Sequence, residues 1–249
     1  EFFSGCCYLF INSIFSSEIF RFFIESANDP MMALNFRSRI EMKTLLQITS
    51  SIYADAGQST GLVKRYVAAW REANPDGKVV VRDLAKDPVP HIDAARFGAF
   101  LSKPDERTAE QQEVVDYSDA LIDELRQADV VVLGLPMYNF AIPSTLKAYF
   151  DHIARAGVTF QYTDKGAVGL LKNKEVVVFA ARGGAYVGTP LDTQTAYVVD
   201  FLSFLGMDTI EFVYAEGLAM GDERKQSTLA KAHASIERLV APELVAAVN

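Results

Sequence analysis

Cysteine is nearly missing from this chain: 249 residues contain 2, Cys6 and Cys7, side by side near the start. Adjacent cysteines at one end cannot staple the rest, so neither a disulfide framework nor a thiolate cluster supports the fold. Histidine is almost as scarce, and His91, His152 and His233 lie far apart in sequence, which argues against a metal site built from His and Cys. Positive charge is also short: 24 Lys and Arg against 32 Asp and Glu give a formal charge of −8 and a pI near 5.0. A nucleic-acid backbone or an anionic membrane surface needs clustered cations, and none are clustered here. There is no Walker lysine pattern and no GxGxxG, so neither a nucleoside triphosphate nor a dinucleotide is the natural resident guest. Any redox chemistry must be borrowed from a cofactor.

Apolar residues make up 50% of the chain and charged ones 22%, the range of globular proteins with a sizeable core. A length of 249 residues suits one ordinary domain with an appendage. The appendage is the first 41 residues, rich in Phe and Ile and holding neither helical nor strand periodicity for long. Glu1 comes first and no Lys or Arg appears before Arg21, unlike the basic start of a signal peptide, and the uncharged run from Phe2 to Ser17 is short for a membrane span. Residues 1–41 therefore read as an incidental or disordered leader, with a natural start at Met42 and one domain over 42–249. A membrane-associating extension and a packed element are the alternatives. With an incidental leader there is no targeting signal, and a cytoplasmic location is expected.

From Lys43 onward, short β-branched runs fall at 43–48, 78–83, 129–135, 175–181 and 209–217. Between them, helical spacing occupies 59–73, 108–127, 142–155, 190–205 and 222–240. Strands that are continuously apolar, such as "DVVVLGL", are buried on both faces, the mark of a parallel sheet covered by helices. The expected architecture is an open, doubly wound α/β sheet of five strands with helices on both faces. Ser59 is placed to start the first helix, Thr108 with Gln111 forms a capping box, and Pro75 with Gly77 ends the first helix. Residues 157–171 break the alternation and read as an extended or hairpin insertion.

In such sheets ligands bind beyond the carboxyl ends of the strands, where the strand order reverses. Three loops there have unusual compositions. After strand one, "TSSIYADAGQSTGLV" brings small hydroxyls and glycine to a helix start, where N–H groups and the helix dipole suit a phosphate; the plainer alternative is a capped turn. After strand three, "LPMYNFAIPSTLK" places Met137, Tyr138, Asn139 and Phe140 between two prolines. That composition offers an apolar wall and amide hydrogen bonds to a flat ligand, although Tyr138 and Phe140 could instead pack under the next helix. After strand four, "ARGGAYVG" combines Arg182 with Gly183 and Gly184, which allow close backbone approach or simply a sharp turn.

Taken together, these motifs resemble the FMN-dependent NADH-azoreductases, also described as FMN-dependent NADH:quinone oxidoreductases. The residues that carry the resemblance are "SS" at 50–51, "GQS" at 57–59, "PMYNF" at 136–140, "LKAYFD" at 146–151, "ARAGVTFQYT" at 154–163, "RGG" at 182–184 and "FLSFLG" at 201–206. The resemblance covers Met42 to about Ala241. It implies a flavodoxin-like fold with strand order 2-1-3-4-5, and a homodimer holding FMN noncovalently at its interface. It makes Ser51, Gly57, Gln58 and Ser59 the phosphate grip. Met137, Tyr138, Asn139 and Phe140 become the wall and edge for the isoalloxazine, and Ala181, Arg182, Gly183 and Gly184 its pyrimidine-side contacts. Ala181 stands where the family often has Ser, which removes one hydroxyl contact. Phe160 and Tyr162 of the insertion are implied substrate-face residues.

The implied reaction is ping-pong: NADH or NADPH reduces the flavin by hydride transfer to N5 and leaves, and a quinone or azo compound then takes its place. A quinone is reduced in one such cycle, an azo bond split to two amines in two. No catalytic side chain is assigned, no metal is expected, and the partners are small molecules and a second copy of the chain, with no nucleic acid or membrane. His152, within "YFDHIARAG", reads as a structural histidine rather than a proton donor. Two other classes share these features: a flavodoxin-like carrier of single electrons, and a flavin-binding protein without NADH oxidase activity.

Overall fold

A computed structural model describes residues 42–240, so the reading of 1–41 as a leader lies outside the described residues. Seven strands and six helices follow in the order β1 (Thr44–Thr49), α1 (Gln58–Ala73), β2 (Lys78–Asp83), α2 (Ala94–Leu101), α3 (Ala109–Gln127), β3 (Val130–Pro136), α4 (Ser144–Ile153), β4 (Phe160–Thr163), β5 (Gly166–Gly169), β6 (Glu175–Ala181), α5 (Thr193–Leu205), β7 (Thr209–Ala215) and α6 (Asp222–Val240). Five of the strands form one sheet in the order β2-β1-β3-β6-β7, every pair parallel. Once the hairpin β4–β5 is set aside, this is the expected order 2-1-3-4-5.

The apolar runs are continuous because successive strand residues serve two different cores. Leu46, Val131, Leu133, Val176 and Val178 face α3, α4 and α5, where they meet Leu121, Leu125, Phe150 and Leu202. Leu45, Val130, Val132, Val177 and Phe179 face the other side and pack on Val63, Tyr66 and Trp70 of α1 and Ile236 of α6. With period two along each strand, odd and even positions are both buried, and the sheet has a helical layer on each face.

Local signals explain the helix ends. Thr108 and Gln111 form the capping box of α3, each accepting the other's backbone N–H. The first helix departs from expectation: its N-cap is Gly57, which brings no capping side chain, and Ser59 lies inside the first turn. Helix α2 has no counterpart among the segments read from sequence. The insertion is an antiparallel hairpin whose foot docks on the end of α5: a Cβ on Gly169 would collide with the backbone of Leu205 and Gly206, and Gly206 caps α5 at φ +99°.

His152 is a structural residue. Its ring is fully buried, edge-on to Phe100 and Tyr117, with Nε2 3.0 Å from the Pro90 carbonyl. Burial pushes its pKa below the usual value, the Pro90 bond opposes this, and Arg96 and Arg155 add to the depression against Asp151. The unfolded chain therefore takes up the proton first as pH falls through about 6.5. Stability is expected to be full above that pH and to fall on the acid side, by at most about 1.4 kcal/mol per pH unit. Urea unfolding at pH 7.5 and 5.5 should show this slope in the parent and a flatter one in His152→Leu; equal slopes would remove His152 as the cause.

Candidate active site

Loops after β1, β3, β6 and β7 converge beyond the carboxyl edge of the sheet around a cleft of about 340 Å³. The β1 loop contributes Ser51, Gly57, Gln58 and Ser59, together with Tyr53 and Ala56. The β3 loop contributes Pro136, Met137 and Tyr138, and the β6 loop Ala181, Arg182 and Gly183. Leu218 and Ala219, from the loop after β7, complete the lining. Asn139, Phe140 and Gly184 sit beside the cleft on the same loops without lining it. Tyr162 projects from the hairpin, 75% exposed, and Phe160 is buried with its ring 4.3 Å from that of Phe204, so neither is brought to the cleft within this chain.

One end of the cleft is built for an anion. Gly57 admits Ser51 at close range, since a Cβ there would fall 2.6 Å from the Ser51 Cβ and closer still to its Oγ. Ser51 Oγ lies 3.3 Å from the Tyr138 hydroxyl and accepts the Tyr53 N–H at 3.3 Å. The first turn of α1 is left uncapped by any side chain of Gly57, and the buried Ser59 and Thr60 hydroxyls have no hydrogen-bond partner. Uncapped N–H groups and orphaned buried hydroxyls at a helix start are what a phosphate would satisfy. No free cation is needed, and Arg182 does not supply one. Its guanidinium has no exposed surface and is held by Asp192 at 2.9 Å, Glu216 at 3.1 Å, Thr195 at 3.0 Å and Gln194 at 3.3 Å.

The other end is apolar and close to backbone. Pro136, Met137, Tyr138 and Ala181 give a flat wall, and the β6 loop reaches it through Gly183, whose Cβ position would touch Ala219 at 3.4 Å. Tyr138 and Ala141 exchange backbone hydrogen bonds across Asn139 and Phe140, both at positive φ, +50° and +63°. That is a two-residue type I′ turn, which favours Asn-Gly. Phe140 pays the left-handed strain of a bulky residue while its ring, 48% exposed, meets Tyr186 edge-on at 5.7 Å. Strain retained on the rim of a cleft points to use. Phe140→Gly is expected to leave the melting temperature unchanged or raise it by roughly 2–4 °C, because about 1 kcal/mol of strain is relieved, while weakening binding of a flat ligand several-fold. Calorimetry with ligand titration checks both signs; a large loss of stability would show that ring packing dominates.

Sequence reasoning missed the β7 loop and the residues that brace the cleft from behind. Gly217, at φ +72°, and Gly221 flank Leu218 and Ala219, a glycine signal equal to that of the β6 loop. Gln194, Asp192 and Glu216 carry no local motif and become visible only through their contacts with Arg182.

Comparison with known proteins follows the same line. Residues 42–240 match the model of a family described as having a flavodoxin-like fold. The chain is 56% identical over 200 residues to an FMN-dependent NADH:quinone oxidoreductase of Cellvibrio japonicus, covering 80% of this chain and 100% of that protein. It is 52% identical over 192 residues to a protein of the same description from Alcanivorax borkumensis, covering 77% and 97%. Among solved structures it resembles an azoreductase of Bacillus anthracis at a TM-score of 0.74 and 27% identity, over 80% of this chain and 99% of that one. An FMN-dependent NADH-azoreductase of the same organism, solved in complex with FMN, superposes at a TM-score of 0.72 with 29% identity, over 80% and 100%. The chain belongs to the flavodoxin-like family and, within it, to the FMN-dependent NADH:quinone oxidoreductases.

Proposed function

We propose that this chain binds FMN in the cleft and uses NADH, with NADPH as a second possible donor, to reduce quinones and azo compounds. The observation that carries the reading is the cleft itself, with an uncapped helix start and the orphaned Ser59 hydroxyl at one end and a flat apolar wall at the other. Ser51, Gly57, Gln58 and Ser59 would hold the phosphate, Met137, Tyr138, Asn139 and Phe140 the ring, and the 181–184 backbone its polar edge. When bound, FMN supplies the two-electron chemistry that the side chains lack. The chain's own part is to orient that ring, shield one side of it and leave the other open, so that donor and acceptor occupy the same place in turn. A proton at an open site can come from solvent.

The homodimer is part of the same proposal. Ile52, Tyr53, Phe140, Val187 and Met220 are all exposed around the cleft loops, from 46% to 67%, which suits a covering subunit better than water. Among the described residues no helix is long and apolar enough to cross a membrane. A reaction fed by a nicotinamide coenzyme suits the cytoplasm.

The first experiment is a visible spectrum of the purified protein, followed by anaerobic NADH and then menadione. Flavin bands that bleach with NADH and return with quinone are expected. Bands that stay oxidised under NADH would support a carrier or binding protein, and no flavin uptake at all would sink the reading of the cleft.

A further inference from the structure

We propose that Gln194, on the first turn of α5 and outside the cleft lining, is the positioning residue that fixes the ring-facing turn of the β3 loop against the β6 loop. The inference rests on the FMN reading above. Gln194 is 1% exposed. Its Nε2 donates to the carbonyls of Pro136, the last residue of β3, at 2.9 Å and of Ala141, the last residue of the turn, at 3.3 Å, so the two contacts bracket Met137 to Phe140. Its Oε1 accepts from Arg182 Nε at 3.3 Å.

These partners allow one orientation of the carboxamide. A flipped amide would set donor against donor at Arg182 and oxygen against oxygen at both carbonyls. Thr193, the residue before it and the first of the helix, donates to the Phe140 carbonyl and holds the turn at its strained residue. Beyond Arg182 the connection continues to Glu216, whose carboxylate accepts the backbone N–H groups of Tyr186 at 2.9 Å and Val187 at 3.1 Å. One buried side chain thus ties the loop that walls the ring to the loop that would meet its polar edge. Two residues at positive φ persist only where their surroundings over-determine them, and Gln194 supplies that constraint.

The test is Gln194→Glu in the full chain. The change keeps the shape and the contact to Arg182 but turns an acceptor toward two carbonyls. Gln194→Met, without donor or charge, is the companion variant. Each is read by melting temperature, by the FMN dissociation constant from flavin fluorescence, and by the shape of the bound flavin's visible band. The expected result is an FMN affinity about tenfold weaker, the loss of two neutral hydrogen bonds, with an altered band in the protein that remains folded. Affinity within about twofold of the parent and an unchanged band, with only the melting temperature lowered, would reduce Gln194 to a structural role and overturn the proposal. Should neither variant fold, amide exchange in the parent decides: the Tyr138 and Ala141 N–H groups are expected to exchange slowly before flavin is added, and fast exchange would refute a preset turn. A parent that takes up no FMN would instead sink the functional reading, and the exchange experiment would still judge the clamp.

Discussion

Gly57→Ala is expected to abolish useful FMN binding, with a dissociation constant raised roughly a hundredfold. The position has ordinary backbone angles, φ −69° and ψ 138°, so the glycine is not there for conformational freedom. It is there for space. A methyl group would fall on the Ser51 side chain, which is buried and engaged with Tyr138 and Tyr53, and 3.3 Å from the Ala54 carbonyl. Ser51 cannot yield without leaving the site, so the loop must move away from the start of α1. Overpacking of this kind costs about 1–3 kcal/mol of stability. Losing two charge-assisted bonds to a phosphate accounts for the larger effect on affinity. Gly61→Ala is the control on the same helix. Nothing lies within 4 Å of a Cβ there, so it should gain about 0.5–1 kcal/mol of stability and leave FMN affinity as it was. Adding Ser51→Gly to Gly57→Ala should restore stability but not affinity, because room returns while a hydroxyl is lost. Fluorescence titration with FMN and thermal melts on all four proteins separate these effects, and full affinity in Gly57→Ala would show that the phosphate does not sit at this turn.

The sheet was legible because parallel strands buried on both faces advertise themselves. "VVVLGL" and "VVVFAA" read as interior on both faces, and the spacing of the runs left room for crossover helices. The capping box at Thr108 was equally plain, since both partners are local. Helix α2 was hidden for the opposite reasons: eight residues, a glycine at its centre, and Phe97 and Leu101 exposed, so that no face is consistently apolar. Ser59 reads as a cap because serine so often is one, but the turn from Ala54 to Ala56 hands that place to Gly57 and leaves the hydroxyl free. The β1, β3 and β6 loops were legible as a site by composition. Arg182 illustrates what was not. Sequence gives it a charge near the ligand, whereas the fold spends that charge on carboxylates 10 and 34 residues further along, at Asp192 and Glu216, distances over which no motif reads.

Arg182→Met is expected to lower the melting temperature by roughly 6–20 °C and to release the flavin. The guanidinium makes bonds from Nε and from both terminal nitrogens, and it lies over the Tyr214 ring at 5.2 Å. Removing one partner of a buried ionic group strands the others, at about 3–5 kcal/mol, and each kcal/mol is worth about 2–4 °C in a domain of this size. Arg182→Lys should recover little, because a single ammonium cannot reach acceptors arranged around a planar fork. Acid offers a second reading of the same contacts. Burial raises the pKa of Asp192, but hydrogen bonds from Arg182 and Thr195 outweigh it and hold the carboxyl below its usual 3.8. A depressed carboxylate contributes stability that is complete above the unfolded value and is lost as pH falls through the folded one, so the parent should shed this contribution only below about pH 4. In Arg182→Met that part of the acid loss should vanish, since the cation that depressed the pKa is gone. Melts between pH 3 and 7 on parent, Met and Lys variants test both parts. A Lys variant as stable as the parent would mean that charge alone suffices, and that the fork which joins α5 to the loops after β6 and β7 does not govern the cleft.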